Sequence, residues 1–277
     1  MQYITKQTLK NTLVNLGISQ GDTVLVHSNI ASFGTTENFS KKEALKIFYE
    51  AFMETLGEEG TLCTPAYFYE YARYGIPFDI ALSPVSKELG VFAKFINSLP
   101  NRRRSPNPLT SICAIGKNAD YICEFVNRHS YGENSAFDRL YKINAKIIAL
   151  GVNGAFTINH LAEYKVGVPY LYNKIYNIPV YNNGQLIFEN SMGYVRYLDY
   201  DIEYLGQTDN QWYNRVIFKQ DFIKQIDYLN SKIYYAEAQH LIKYLCENLY
   251  CNPYFLLTHT PNFIEGQVPN DGPVLKK

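Results

Sequence analysis

Short apolar runs separated by amphipathic helical stretches constrain this chain more than any other feature. "GDTVLVHS", "GTLCTPAY", "SICAIG" and "AKIIALG" each read as a buried strand. Between them, "KQTLKNTLVNLG" sets Leu9, Leu13 and Leu16 at helical spacing and stops at Gly17, a favourable residue for closing a helix. "FSKKEALKIFYEAFMETLG" opens with Ser40 and Glu43 in capping-box spacing, puts Leu45, Phe48, Phe52 and Leu56 on one face, and ends at Gly57. Further helices are expected over about 87–97 and 236–250, and Asn118 and Ser135 read as caps of two short ones.

The connection "FYEYARYGIPFDIALSPVSKELG" is long and punctuated by Pro and Gly, the kind of loop that more often carries function. "PVYNNGQLIF" signals a hairpin, because Asn183 and Gly184 tolerate the positive φ angles of a type I′ turn. "YVRYLDYDIEYL" alternates as a half-buried strand, with Asp199, Asp201 and Glu203 on one face. The order predicts an α/β fold: a layered α/β/α single domain over 1–277 with a mixed sheet, an antiparallel C-terminal part, and residues 260–277 as a tail.

The 277 residues suffice for one large core, and 26 basic against 26 acidic residues leave no broad positive field for nucleic acid or a membrane surface. No segment approaches the ~20 apolar residues of a membrane span, and the expected location is the cytoplasm. Five scattered cysteines without a CxxC pair read as reduced core thiols, with no metal site. Tyrosine, at 25 residues, is abundant enough to line pocket walls but names no ligand.

Chemistry concentrates in "FTINHLAEY". If Thr157 caps a helix, His160 falls in the first turn and Glu163 lies one turn on, on the same side. The positive helix end then favours a neutral imidazole, while Glu163 can accept the other ring N–H and fix the tautomer. The same spacing also suits a helix-capping histidine beside a solvated glutamate, and a metal pair lacks a third ligand at a recognisable distance. "NRRRSPNP" offers Arg102, Arg103 and Arg104 for phosphate oxygens, or else forms an exposed charged turn. Hydrolase elbows, phosphate loops and dinucleotide fingerprints are absent from the sequence.

Taken in order, "GDTVLVHSNIASFG", "EEGTLCTPAY", "NRRRSPNPLTSICAIG", "GENSAFDRL" and "KIIALGVNGAFTINHLAE" resemble the aminoglycoside 3-N-acetyltransferase family, most strongly over residues 7–170. The resemblance implies direct transfer of an acetyl group from acetyl-CoA to an amine on an aminoglycoside or amino sugar, on a fold distinct from the GNAT acetyltransferases. It makes His160 the general base and Glu163 its partner. It also puts His27, Ser28, Asn29, Arg104, Ser105 and Ser111 along the coenzyme A site, where backbone N–H groups near Ser28 or Ser111 could meet the developing oxyanion.

Two positions depart from the family pattern. Asn107 stands where the family has histidine in "R-S-x-H-P-x-x-S", and Asn29 where it has serine; an amide keeps hydrogen bonds but cannot exchange protons. A polycationic acceptor calls for local acid, for which Asp79, Glu133 and the Asp199 face are candidates. The expected partner is a small-molecule amino sugar, with a homodimer as the assembly to test. The alternatives are a non-catalytic coenzyme- or sugar-binding protein on the same scaffold, and transfer of another acyl group to a nucleotide-linked amino sugar in glycan biosynthesis.

Overall fold

A computed structural model describes residues 4–34, 41–152, 156–196, 217, 219–257 and 260–261. The chain begins with α1 (Lys6–Leu16), which Thr5 caps through a reciprocal box with Thr8 and which Gly17 closes at φ 104. It continues through β1 (Thr23–Ser28), α2 (Lys41–Leu56), β2 (Thr61–Pro65), α3 (Glu70–Tyr74), β3 (Phe78–Asp79) and α4 (Gly90–Asn97). Then come β4 (Arg103–Arg104), β5 (Ile112–Gly116), α5 (Ala119–Cys123), α6 (Ala136–Lys142), β6 (Lys146–Leu150) and α7 (Asn159–Val166). The later elements are β7 (Leu171–Tyr176), β8 (Val180–Asn182), β9 (Gln185–Phe188), β10 (Ser191–Arg196), β11 (Lys224–Tyr228), β12 (Ser231–Glu237) and α8 (Ala238–Cys251).

Seven strands form the main sheet in the order β11-β12-β6-β1-β2-β5-β4. β6, β1 and β2 run parallel, and antiparallel pairs flank them on both sides. Antiparallel pairing is therefore not confined to the C-terminal part: β4 and β5 supply it mid-chain. Alternation along the strands divides the core. Leu25, Cys63, Ile147 and Ala149 face one cluster with α5, α6, α7 and α8, whereas Val24, Val26, Leu62 and Ile148 face another with α1, α2 and α4. Each fully buried Phe or Leu, such as Phe48, Phe52 and Leu56 on α2, contributes about 1.5–3 kcal/mol. The fold is thus α/β with a mixed sheet covered on both faces.

Two small sheets sit beside this frame, β10 with β7 and β3-β8-β9. The β8–β9 hairpin turns through Asn183 at φ 50 and Gly184 at φ 79, as its sequence requires. The long connection after β2 is less loop-like than expected, for it holds α3, β3 and a 3-10 turn over Lys87–Leu89. β10 overlaps the start of "YVRYLDYDIEYL", while Asp199, Asp201 and Glu203 lie outside the described residues, as does Ser40. Among the described residues no helix is long and apolar enough to cross a membrane.

Candidate functional site

The polypeptide leaves β6 at Gly151, whose φ of +68 and closeness to the Asn29 carbonyl and Ser32 hydroxyl leave no room for a side chain. It re-enters a helix at α7 through successive i→i+3 bonds, including His160 N–H to the Thr157 carbonyl at 3.2 Å. The helix cap is Ile158, with no side-chain capping bond, so Thr157 is not the cap the sequence suggested. His160 nonetheless lies in the first turn. Leu161 and Ala162 point into the core, and Glu163 is fully buried one turn later.

His160 Nδ1 bonds Glu163 Oε2, and the imidazole is 36% exposed while the carboxylate is 0% exposed. A solvated glutamate beside a helix-capping histidine is excluded by that burial. The second carboxylate oxygen accepts the Tyr170 hydroxyl at 2.5 Å, and the Glu163 carbonyl accepts Tyr194 Oη at 3.4 Å. Tyr170 sits in the turn just before β7, and Tyr194 lies on β10, where it stands opposite Asn173 of β7. Burial and the Glu163 charge push the Tyr194 phenol far above its ordinary value, so it acts as a neutral donor.

A second histidine extends this wall. His129 Nδ1 accepts the N–H groups of Tyr131 (3.0 Å) and Gly132 (2.8 Å), which leaves Nε2–H to donate to Asn173 Oδ1 at 2.7 Å. Burial lowers its pKa and keeps it neutral. Its ring lies 4.8 Å from that of Tyr164, which meets Tyr194 edge-on at 5.3 Å, and Tyr131 lies 5.6 Å from His160. His129, Tyr131, Tyr164, Tyr170 and Tyr194 escaped the sequence reading; the abundance of tyrosine was their one trace.

A cavity of about 290 Å³ opens between α6 and α7, bordered by Tyr131, Glu133, Asp138, Lys142, Tyr164 and Lys165. Lys142 reaches Asp138 at 2.8 Å and Lys165 reaches it at 3.9 Å. Glu133 thus borders a cavity where two acids face two lysines. Asp79 is different. Burial opposes its charge, but N–H groups of Gly184 (2.8 Å), Asn183 (3.0 Å), Leu82 (3.0 Å) and Ala81 (2.8 Å) outweigh that and hold its carboxyl low. Its oxygens, expected to face the acceptor, tie the β8–β9 turn to β3.

The arginine loop also turns inward. Arg104, 4% exposed, spends Nε on Ser111 Oγ (3.0 Å), Nη1 on the Ser83 carbonyl (2.5 Å) and Nη2 on the carbonyls of Ala66 (2.5 Å) and Pro84 (3.2 Å). Its guanidinium stacks 4.6 Å from the Phe78 ring, and burial pulls its pKa down to about 10, still charged at neutral pH. Ser111 Oγ donates to the Ser105 carbonyl (3.0 Å) and Ser105 Oγ accepts Ile112 N–H (2.9 Å). The side chains of Arg104, Ser105 and Ser111, expected along the coenzyme site, all have protein partners. Arg102 and Arg103 are engaged as well, with the Asn97 carbonyl and with Asp120.

Asn107 is a buried hub. Its amide donates to the carbonyls of Arg128 (2.6 Å) and Met192 (3.0 Å), and its oxygen accepts Leu109 N–H (3.0 Å) and Thr110 N–H (3.2 Å). The position needs a hydrogen-bonding side chain on both edges, which asparagine provides without a titrating proton.

The end of β1 looks outward. His27 is 8% exposed, and among the described residues its Nε2 has no hydrogen-bond partner. Burial lowers its pKa to about 4. Ser28 is half-buried and Asn29 exposed, with Asn29 N–H on the Leu150 carbonyl at 2.9 Å. Gly90, which opens α4, packs against the Ser28 carbonyl.

The aminoglycoside 3-N-acetyltransferase family model matches residues 25–249. Aminoglycoside N(3)-acetyltransferase IV of Salmonella sp is 33% identical over 172 residues, covering 61% of this chain and 63% of that relative. Among solved structures, the apoenzyme of aminoglycoside acetyltransferase AAC(3)-IVa superposes with a TM-score of 0.75 at 24% identity, covering 94% of this chain and 93% of that one. AAC-IIIb in a binary complex with CoASH gives 0.74 at 20% identity, with 94% and 100% covered. The structural likenesses establish a shared fold. Since the family model spans most of the sequence, from the middle of β1 almost to the end of α8, this chain belongs to the aminoglycoside 3-N-acetyltransferase family.

Proposed function

We propose that this protein transfers the acetyl group of acetyl-CoA to an amine of an aminoglycoside or a related amino sugar, with His160 as general base and Glu163 as its orienting partner. The observation that carries this reading is a part-exposed imidazole held on one side by a fully buried carboxylate, with Tyr131, a border residue of the neighbouring cavity, 5.6 Å from the ring.

An ammonium has no lone pair for the thioester carbon, so the acceptor reacts as the free amine, its ammonium proton having passed to solvent. His160 Nε2, the ring nitrogen turned away from Glu163, takes a further proton from that amine as the N–C bond forms. Glu163 offsets the positive charge that then develops on the ring, because its carboxylate faces Nδ1. When the C–S bond breaks, the same nitrogen can return the proton to the departing thiolate, which balances the reaction. Acetyl-CoA supplies the activated acyl carbon. The buried, unpartnered Nε2 of His27 and the half-buried Ser28 at the end of β1 fit a ligand with amide and carbonyl groups. The solved relative with CoASH supports the choice of donor.

An asparagine at 107 cannot exchange protons, which would favour the non-catalytic alternative, but its buried partners give it a structural task and leave His160 and Glu163 untouched. A nucleotide-linked amino sugar is the second acceptor class to test.

The test follows thiol release from acetyl-CoA across kanamycin-type antibiotics and amino sugar nucleotides. His160→Ala should cost about 10²–10⁴-fold in turnover while coenzyme A binding survives. Near-normal turnover in that variant refutes the base assignment, and turnover on sugar nucleotides alone removes the antibiotic as substrate.

A further inference from the structure

We infer that Tyr170 is a positioning residue for the reaction: its hydroxyl holds the Glu163 carboxylate aimed at His160. This rests on the reading of His160 as base and extends it by one residue.

Glu163 is fully buried, so water cannot satisfy both of its oxygens. One oxygen faces His160 Nδ1 and the other accepts Tyr170 Oη at 2.5 Å. A carboxylate with a single donor is free to pivot about its side-chain torsions; one fixed at both oxygens is not. Tyr170 is itself 0% exposed, and its ring lies 6.1 Å from that of Tyr254, so its hydroxyl approaches from a fixed direction. Gly167 closes α7 at φ 75 and reverses the chain toward the head of β7, which brings residue 170 back onto residue 163. The result is a chain of three groups, Tyr170 to Glu163 to His160, whose first two members have no access to solvent.

The chemistry gives this arrangement a consequence. A hydrogen bond donated to a carboxylate favours the ionised form, and only the ionised form balances a protonated imidazole. Titratable groups around Glu163 are His160 and Tyr164 on its own helix, Tyr194 on β10 and Tyr170. Cys246 on α8 touches the neighbouring Ala162 carbonyl at 4.0 Å, and Lys165 faces the same helix pair. Tyr170 is the member that donates to the carboxylate oxygen opposite the histidine.

Tyr170→Phe keeps the ring and removes the donor. Turnover is expected to fall about ten- to a hundredfold, the scale of a hydrogen bond to a charged group, with the KM for acetyl-CoA held within about twofold. The acid limb of the pH–rate profile should move to higher pH, because the carboxylate that has lost its donor holds a proton more readily. Site-specific 3,5-difluorotyrosine at 170, a stronger donor of nearly the same shape, should move the limb to lower pH, and it serves where the phenylalanine variant fails to fold. Added to Glu163→Gln, Tyr170→Phe should cost nothing further. A limb that stays in place in both substitutions, or losses that multiply in the double variant, overturns the proposal. His160→Ala run in parallel separates the two ideas: loss of turnover there with a normal Tyr170→Phe sinks only the role of Tyr170, and normal turnover in His160→Ala sinks the base itself.

Discussion

The loop over 102–111 and the first turn of α7 are both polar stretches at the ends of buried strands, yet they do opposite work. In the loop, Arg104, Ser105, Asn107 and Ser111 find their partners within the protein and are buried. At α7, Glu163 is equally buried and satisfied, but it serves a ring that keeps a third of its surface exposed. A completed set of buried bonds marks scaffold; a buried group that holds an exposed one marks a place for chemistry. The difference lies in where the chain of hydrogen bonds ends, not in residue type.

Arg104 offers the hardest test of that contrast. Arg104→Ala leaves the carbonyls of Ala66, Ser83 and Pro84 and the Ser111 hydroxyl without their donor, at a cost of about 3–5 kcal/mol. The folded fraction should keep its affinity for acetyl-CoA. Thermal unfolding and coenzyme titration on the same sample check both halves. Unchanged stability with a tenfold weaker coenzyme would return the guanidinium to the phosphate-binding role its sequence suggests.

His27 lies between the two cases, buried like the scaffold but with Nε2 unpartnered among the described residues. Its pKa of about 4 in the folded protein lies below the 6.5 of an unperturbed histidine, and burial is the cause. Above pH 6.5 both folded and unfolded states hold it neutral. As pH falls from 6.5 toward 4, the unfolded state takes up the proton and the folded state resists, so stability declines by up to about 3 kcal/mol. Urea melts across that window should show the decline, and His27→Leu should flatten it, leaving the slope due to His129, whose pKa is lowered in the same sense. If His27 faces the coenzyme, the same variant also weakens acetyl-CoA; flattened melts with unaltered affinity would assign His27 to the scaffold.

How legible each region is in the sequence follows from the distance its bonds span. α1 and α2 are readable because Leu9, Leu13 and Leu16, or Phe48, Phe52 and Leu56, lie one helical turn apart and enter the core together. His160 and Glu163 are readable for the same reason, being three apart on one helix. The inward turn of Arg104 is not, since its carbonyl acceptors lie 20 to 38 residues away on the segment after β2 and carry no side-chain signature. Nor are the donors to Glu163: Tyr170 lies seven residues on, past a helix-terminating glycine, and Tyr194 lies 31 residues on, brought back by pairing of β10 with β7. The antiparallel β4–β5 pair escapes likewise, because strand partners are chosen by the sheet and not by either strand alone.

Asp79 gives the smallest effect and the finest discrimination. Four backbone N–H groups hold its carboxyl below the ordinary value against the opposing pull of burial. The sign is that of any depressed carboxyl: its stabilisation is present above the unfolded value of 3.8 and is lost as pH falls through the folded one. Asp79→Asn keeps one acceptor oxygen, removes the charge and turns one edge into an N–H₂ that faces other N–H donors. The carboxylate is only partly buried, so the loss near neutral pH should stay at about 1 kcal/mol, and the β8–β9 turn loosens while α7 is undisturbed. The acceptor KM should then remain within about twofold of its starting value. A rise of tenfold or more for a polycationic antibiotic, with no change for a singly charged amine, would mean that Asp79 meets the substrate after all, and that a carboxylate with every nearby N–H already engaged can still take part in recognition.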